Sequence, residues 1–452
     1  MTKSKRTEEL IKTDLEHILH PFCIPGTHPG VVFEKTRDRI YLVDTEGKEY
    51  IDCTSGLMCV NLGHGQKAIQ DAICDAIRKI DYTVSFYGFG NVYAIECAKL
   101  LSEIIPGDLD HYFFVSGGSE ATDTAIKMAR LYWHHKGMGT KQKIIGLNNA
   151  YHGQTGISTY MTRMAQGMMQ RGFGAEPSGY LRVPGFFCYR CQFGATYPGC
   201  DMLCARFLKS VIDSEGPDSI AAFFAEPIQG SGGIIAPPPE YWPMVRKICT
   251  DSGILLIGDE VMTGFARTGK MFAFDHFGVV PDMMIMAKGI NSAYLPLGAV
   301  AFNGEILETL KGKMFVHGVT YSGHPIPCAA SVAALKLYKE QNVAANSAKV
   351  GSHIRKRLEQ EFLPLPCVGD LGGGYGMFQS LELVTDKKSK GIPDPKNKQD
   401  LWNKCLENGL FVRITGTFGN RLFIAPPCTM TIEEADKMLD MLLPLVSEWK
   451  PK

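Results

Sequence analysis

The chain has 452 residues, long enough for two or three packed domains with generous cores. Its 45% apolar and 21% charged residues are ordinary for a soluble globular protein. The 47 basic side chains match the 47 acidic ones, so no global field draws the chain onto nucleic acid or an anionic membrane.

Residues 1–17 are charged and lack an apolar core, so they are not read as a secretory signal, and the expected location is the cytoplasm. Apolar runs such as 220–225 and 283–287 are too short to span a bilayer. Residues 31–43 read as a pair of strands, with a turn at Thr45-Glu46-Gly47. Ile69, Ile73, Ile77 and Ile80 mark one helix face, and Ala121, Ala125, Met128 and Tyr132 another. Short apolar strands are expected at 112–115, 143–147, 220–225, 254–258, 283–287 and 297–302. Strands alternating with helices imply an α/β fold with a large, mainly parallel sheet. After Pro325 the texture changes to helices at 326–340 and 347–361, a strand at 377–384 and a last helix at 432–449. The expected organisation is therefore a large domain over 66–325 and a smaller α/β domain over 326–452, with 1–65 packing on the smaller one.

Fourteen cysteines are spread along the chain, as expected of buried thiols rather than a disulfide framework. Cys188, Cys191, Cys200 and Cys204 are clustered. Four thiolates suit zinc, but the second pair is spaced wider than a zinc knuckle usually is, and a loop of partly buried thiols is the plainer reading. No metal is assigned.

In an open parallel sheet, ligands bind beyond the carboxyl ends of the strands. Here a chemically capable residue follows nearly every expected strand. Ser116-Gly117-Gly118-Ser119 joins a strand to a helix, where glycines and free N–H groups suit an anion such as a phosphate. Tyr151-His152-Gly153 follows the next strand, and Tyr151 offers a face for stacking on a flat ring. Glu226, Asp259 and Lys288 end the following three. A carboxylate at Asp259 can hold a pyridine nitrogen protonated, or simply cap a turn. A lysine after a very apolar strand has its amine form favoured, which suits a Schiff base; the alternative is a lysine snorkelling to solvent.

The stretches SGGSEATDTAIK (116–127), AYHG (150–153), AEPIQGSGG (225–233), GDEVMTGFARTGKMFAFDHFGVVPDMMIMAKG (258–289) and HGVTYSGHP (317–325) resemble a class III aminotransferase of the pyridoxal-phosphate-dependent type I fold. The resemblance covers nearly the whole chain. It implies that Lys288 is the Schiff-base lysine and Asp259 the partner of the pyridine nitrogen. Val261 and Tyr151 would lie on the two ring faces, Gly118 and Ser119 on the phosphate, and His152 and Glu226 nearby. Thr320 is similar to the threonine that reaches the neighbouring subunit's cofactor, which implies a homodimer, or a larger assembly of dimers, with shared sites.

Arg413 lies on a segment similar to the one that carries a mobile arginine in the ω-amino acid:pyruvate branch. A guanidinium can grip a carboxylate bidentately and swing away when none is present. Arg421 is a second candidate for that task, and Glu226 a partner for whichever arginine is idle. Phe423 stands where ornithine-type relatives carry an arginine, which argues against ornithine and acetylornithine. His20-Pro21-Phe22 and Ser55–Asn61 also resemble the ω branch, whose donors include β-alanine, taurine, 4-aminobutyrate and simple amines. Met58 replaces a common tryptophan. Leu57, Met58, Phe86, Phe89 and Tyr151 are the expected pocket wall. The expected activity is amino-group transfer from such a donor to a keto acid, pyruvate foremost. An aminomutase or racemase of the same fold, or a non-catalytic relative, are the alternatives.

Overall fold

A computed structural model of the chain describes residues 3–164 and 169–451. Positions 1, 2 and 452 of the expected end segments lie outside that description. Three sheets occur among the described residues.

In the first sheet, β1 (Phe33–Arg37), β2 (Tyr41–Asp44) and β3 (Glu49–Asp52) form an antiparallel meander. The expected pair of strands is β1 and β2, joined where Asp38 and Arg39 take left-handed conformations, and the expected turn at Thr45-Glu46-Gly47 leads on into β3.

The central sheet holds β4 (His111–Val115), β5 (Lys143–Leu147), β6 (Tyr180–Val183), β7 (Ile220–Ala225), β8 (Leu255–Asp259), β9 (Met283–Met286) and β10 (Gly298–Phe302), in the order β4-β10-β9-β8-β7-β5-β6. β5 to β9 run parallel, while β10 is antiparallel to both its neighbours. Residues 287–297 contain too little chain for a helical crossover, so β10 returns the other way. β6 is absent from the expected strands because it is a short edge strand carrying Arg182 rather than a continuous apolar run. β7, β8 and β9 are buried along their whole length. Their alternate residues enter different cores: Phe223 and Leu256 one, Phe224 and Ile257 the other. A strand covered on both faces needs apolar residues at every position, which is why these three stood out as unbroken runs.

The third sheet, β11 (Val368–Tyr375), β12 (Phe378–Leu383), β14 (Arg413–Thr415) and β15 (Arg421–Ile424), is antiparallel in the order β11-β12-β15-β14. Between its strands, β13 (Leu410–Phe411) pairs in parallel with β3 and extends the first sheet. Ile40, Ile51 and Cys53 share a core with Val350, Met438 and Trp449. The N-terminal strands and the C-terminal segment therefore pack as one unit. No helix among the described residues is long and apolar enough to cross a membrane.

Cys188, Cys191, Cys200 and Cys204 line one small apolar cavity with Phe186, Phe193 and Tyr197. All four are free thiols, and among the described residues no group of three or more potential ligands is placed to hold a metal. Burial pushes the Cys204 thiol up to about 11.

Arg267 ties these parts together. Its fully buried guanidinium donates to Met377 O (3.0 Å), Pro426 O (2.5 Å), Ser55 Oγ (2.9 Å) and Asn61 Oδ1 (2.8 Å). Replacing it by methionine strands four buried acceptors, each costing about 1–3 kcal/mol. Arg267→Met is expected to lose more than about 3 kcal/mol, read as a lowered urea midpoint. Arg267→Lys should recover only part, since an ammonium cannot reproduce the planar fork.

Candidate active site

Each side chain at the candidate site is delivered by the carboxyl end of a central strand. Asp259 is the last residue of β8, Glu226 follows β7, and Lys288 follows β9 after Ala287. Lys288 has a left-handed backbone, φ 47°, at the start of a tight 3-10 turn. Past β4, the helix Gly118–His135 begins, its first-turn N–H groups lacking intrahelical acceptors. These residues and Tyr151, His152 and Val261 surround one cavity of about 180 Å³.

Two close approaches shape its glycine side. A Cβ at Gly118 would press on Val261, and one at Gly153, whose φ is +119°, would fall inside Ser119. Ser119 Oγ in turn accepts from the N–H of Gln154 at 3.2 Å.

The floor is a buried carboxylate pair. Asp259 Oδ2 meets His152 Nδ1 at 2.6 Å, and Oδ1 accepts from the N–H of Val261 at 3.0 Å. The His152 ring packs edge-on against Phe224 at 4.5 Å and is wholly buried, so Asp259 is fixed in orientation. Glu226 accepts from the N–H groups of Gly230 (2.8 Å) and Tyr151 (3.3 Å). Burial, then repulsion from Asp259, pushes its carboxyl up to about 8. Burial pulls the Lys288 ammonium below its ordinary range, against the opposing pull of Cys59, Asp259 and Glu226. Glu260, beside Asp259, faces away: it accepts from Phe274 N at 2.8 Å and from the Thr263 hydroxyl.

Tyr151, Met262 and Lys288 also line a second, outer cavity of about 710 Å³. Its wall includes Phe22, Leu57, Met164, Trp402 and Arg413. Arg413, the first residue of β14, lies near Tyr151 and Cys59, and burial holds its guanidinium below the ordinary range. It makes no hydrogen bond or ion pair with any described residue, Glu226 included.

Other expected residues lie elsewhere. Arg421 is 2% exposed and locked by Glu382 and by Asp370 at 2.9 Å, against Phe187. It is a structural ion-pair arginine, because its strand position turns it into the third sheet rather than the cavity. Met58 is buried in the core rather than on the cavity wall, since the kinked turn at Gly56 and Leu57 presents Leu57 instead. Phe86, Phe89 and Thr320 are not among the described residues lining either cavity. The Phe86 ring lies against Gly318, and Tyr82 Oη donates to Thr320 O at 3.0 Å. Met262, Ala287, Met164 and Trp402 were not anticipated. Phe22 was foreshadowed only by the resemblance of its neighbourhood.

The class-III aminotransferase family, described as Aminotransferase class-III, matches residues 25–446. The chain is 34% identical over 441 residues to putrescine–pyruvate aminotransferase of Pseudomonas aeruginosa, covering 96% of this chain and 95% of that one. It is also 34% identical to gamma aminobutyrate transaminase 2 of Solanum lycopersicum over 418 residues, 89% of this chain and 88% of the relative. Its fold superposes with a TM-score of 0.91 on a thermostable (S)-enantioselective omega-transaminase from Thermomicrobium roseum, at 35% identity and 99% coverage of both chains. The chain belongs to the class III aminotransferase family. Its reaction moves an amino group to a keto acid, on a type I fold, with pyridoxal phosphate as cofactor.

The donor set of the inner cavity fits that cofactor. A helix N-terminus with Gly118 and Ser119 suits a phosphate, a carboxylate suits a pyridine nitrogen, and an amine suits an aldehyde.

The shift at Glu226 carries a pH signature. A carboxyl whose pKa rises on folding binds its proton more tightly folded than unfolded, so stability is lost as pH climbs from about 4.5 to about 8. In the apoprotein, Glu226→Gln should therefore gain on the wild type across that window and show a constant gap outside it. Urea midpoints at pH 5, 7 and 9 measure this, and a gap independent of pH would refute it.

Proposed function

We propose that the two cavities form one transaminase site, which serves a donor amine and a keto acid in turn. Lys288, Asp259 and Glu226 meeting in a glycine-walled cavity that opens onto an unpaired Arg413 is the observation that carries this reading. Gly118, Ser119 and the helix N-terminus would hold the cofactor phosphate, Asp259 its ring nitrogen, and Val261 and Tyr151 its two faces. Bound there, pyridoxal phosphate supplies the electron sink that makes a proton on the amine-bearing carbon acidic. Lys288, with its neutral amine favoured by burial, takes that proton at Nζ and delivers it to the cofactor side. His152 keeps Asp259 aligned toward the ring. Arg413 grips the carboxylate of the keto acid, pyruvate in the simplest case, and lets it go when an amine without one enters.

Arg413→Ala should impair the keto-acid half-reaction far more than that of an amine lacking a carboxylate. A lost buried charge contact costs about 2–4 kcal/mol, or one and a half to three decades in rate. Single-turnover kinetics of each half-reaction decide this. Equal losses in both would make Arg413 structural.

The enzyme acts as a homodimer with shared sites. Around Thr320, Phe86 and Phe89 lies an apolar surface on which Tyr87 is 89% and Val316 83% exposed, a patch that a monomer would leave in water. A C2 partner covering it would bring Thr320 to the other chain's phosphate. Complementation tests this: Lys288→Ala and a disruptive Thr320 variant, each inactive alone, should regain activity when co-expressed. In each mixed dimer one site then holds both intact residues. Inactive mixtures with heterodimers demonstrably present would refute the shared site.

A further inference from the structure

Four thiols with no task in the scheme above share one small cavity. Cys188, Cys191, Cys200 and Cys204 line it from the irregular stretch between β6 and the first turn of the helix Leu203–Glu215. The two ends of this stretch are held by different parts of the fold. Cys188 opens a short 3-10 turn whose last residue, Arg190, donates to Glu382 of β12 at 2.6 Å and to Lys390 O at 2.8 Å. That end is seated on the third sheet. The Cys200 N–H donates to Thr196 O at 3.0 Å, and the Cys200 carbonyl accepts from Leu203, the first residue of the helix, at 3.2 Å. The helix packs along β6 and the helix Tyr241–Asp251, so that end belongs to the central sheet.

Cys188 and Cys200 stand out as a pair. Cys188 is the exposed thiol of the four, so a reagent in solution meets it first. Of the groups whose charge acts on its sulfur, Cys200 leads, ahead of Cys191 and Asp370. Cys188 and Cys200 also act together on Cys204 and on Tyr197, so both sulfurs share the same neighbours. The cavity between them, about 20 Å³, admits little more than a water molecule. The chemistry open to two thiols that converge on so small a space is to join.

We propose that Cys188 and Cys200 form a reversible disulfide, made by exchange with a small-molecule disulfide. The Cys188 thiolate attacks one sulfur of that reagent, whose S–S bond breaks and releases one thiolate. Cys200, deprotonated in turn, attacks the Cys188 sulfur and expels the second. Two protein thiols give up two electrons and two protons, and the reagent leaves as two thiols. Burial, then the neighbouring thiols, push the Cys188 thiol up. A thiolate that its surroundings do not stabilise forms the bond slowly, but it also gives the reduced state no advantage, so the bond persists once made. It closes residues 188–200 into one loop and fastens the third sheet to the central one. None of these residues lines either cavity of the candidate site.

The test incubates the holoenzyme with oxidised glutathione at pH 8, quenches it in acid and maps the peptides by mass spectrometry. A Cys188–Cys200 linked pair is expected, with both thiols recovered on adding dithiothreitol. Cys200→Ser should stop at the mixed disulfide, with glutathione held on Cys188, and Cys188→Ser should leave Cys200 unmodified over the same time. The oxidised wild type should unfold at higher urea than the reduced protein, a difference that both serine variants lose. Both thiols intact after exposure, a bond from Cys188 to Cys191 instead, or glutathione retained on Cys188 of the wild type would overturn the pairing. A linked pair with an unchanged urea midpoint would overturn the fastening.

Discussion

The buried guanidinium of Arg267 is the constraint on which the site's geometry rests. Its four hydrogen bonds run to Ser55 and Asn61 on the N-terminal side, and to Met377 and Pro426 on the C-terminal side, from a loop just beyond β8. The inner cavity belongs to the central sheet, whereas the outer cavity borrows Phe22 and Leu57 from one flank and Trp402 and Arg413 from the other. The placement of Arg413 relative to Lys288 is therefore set by how these units seat together. All four acceptors are neutral, so the arginine is anchored by geometry rather than by a counter-charge, and only a planar fork can address them all.

Around that anchor, burial supplies the chemistry. Parallel strands ending at one rim bring Glu226, Asp259 and Lys288 into a space with little water. Desolvation then works in opposite directions on acids and amines. It lifts Glu226 to about 8 and lowers Lys288, so burial favours the neutral form of each. Asp259 is fixed in place by its contacts with His152 and the Val261 N–H.

The outer cavity follows another logic. Its wall is largely apolar, and its charge is cationic, at Arg413 and Lys398. The residues proposed for the chemistry line the inner cavity, and the arginine proposed for the substrate carboxylate lines the outer one.

Much of this was legible in residue order alone. Central strands buried on both faces must be apolar at every position, so β7, β8 and β9 announced themselves, and the charges at their ends could only converge at one rim. Lys288, Asp259, Glu226 and the Gly118-Ser119 turn were readable because parallel topology turns sequence position into spatial position. Where topology gives no such rule, sequence was silent or misleading. Arg413 and Arg421 lie on adjacent strands with similar surroundings in the chain, yet one faces the cavity and the other is sealed by Glu382 and Asp370. Met58 and Leu57 are neighbours, and a kink at Gly56 decides which reaches the cavity. The sequence by itself determined the fold class and the meeting of Glu226, Asp259 and Lys288 at one cavity, since both follow from strand hydrophobicity and strand order. Only the tertiary structure decided that Arg413 and not Arg421 lines the outer cavity, since that depends on how separate units pack, and packing leaves no periodic trace in the chain.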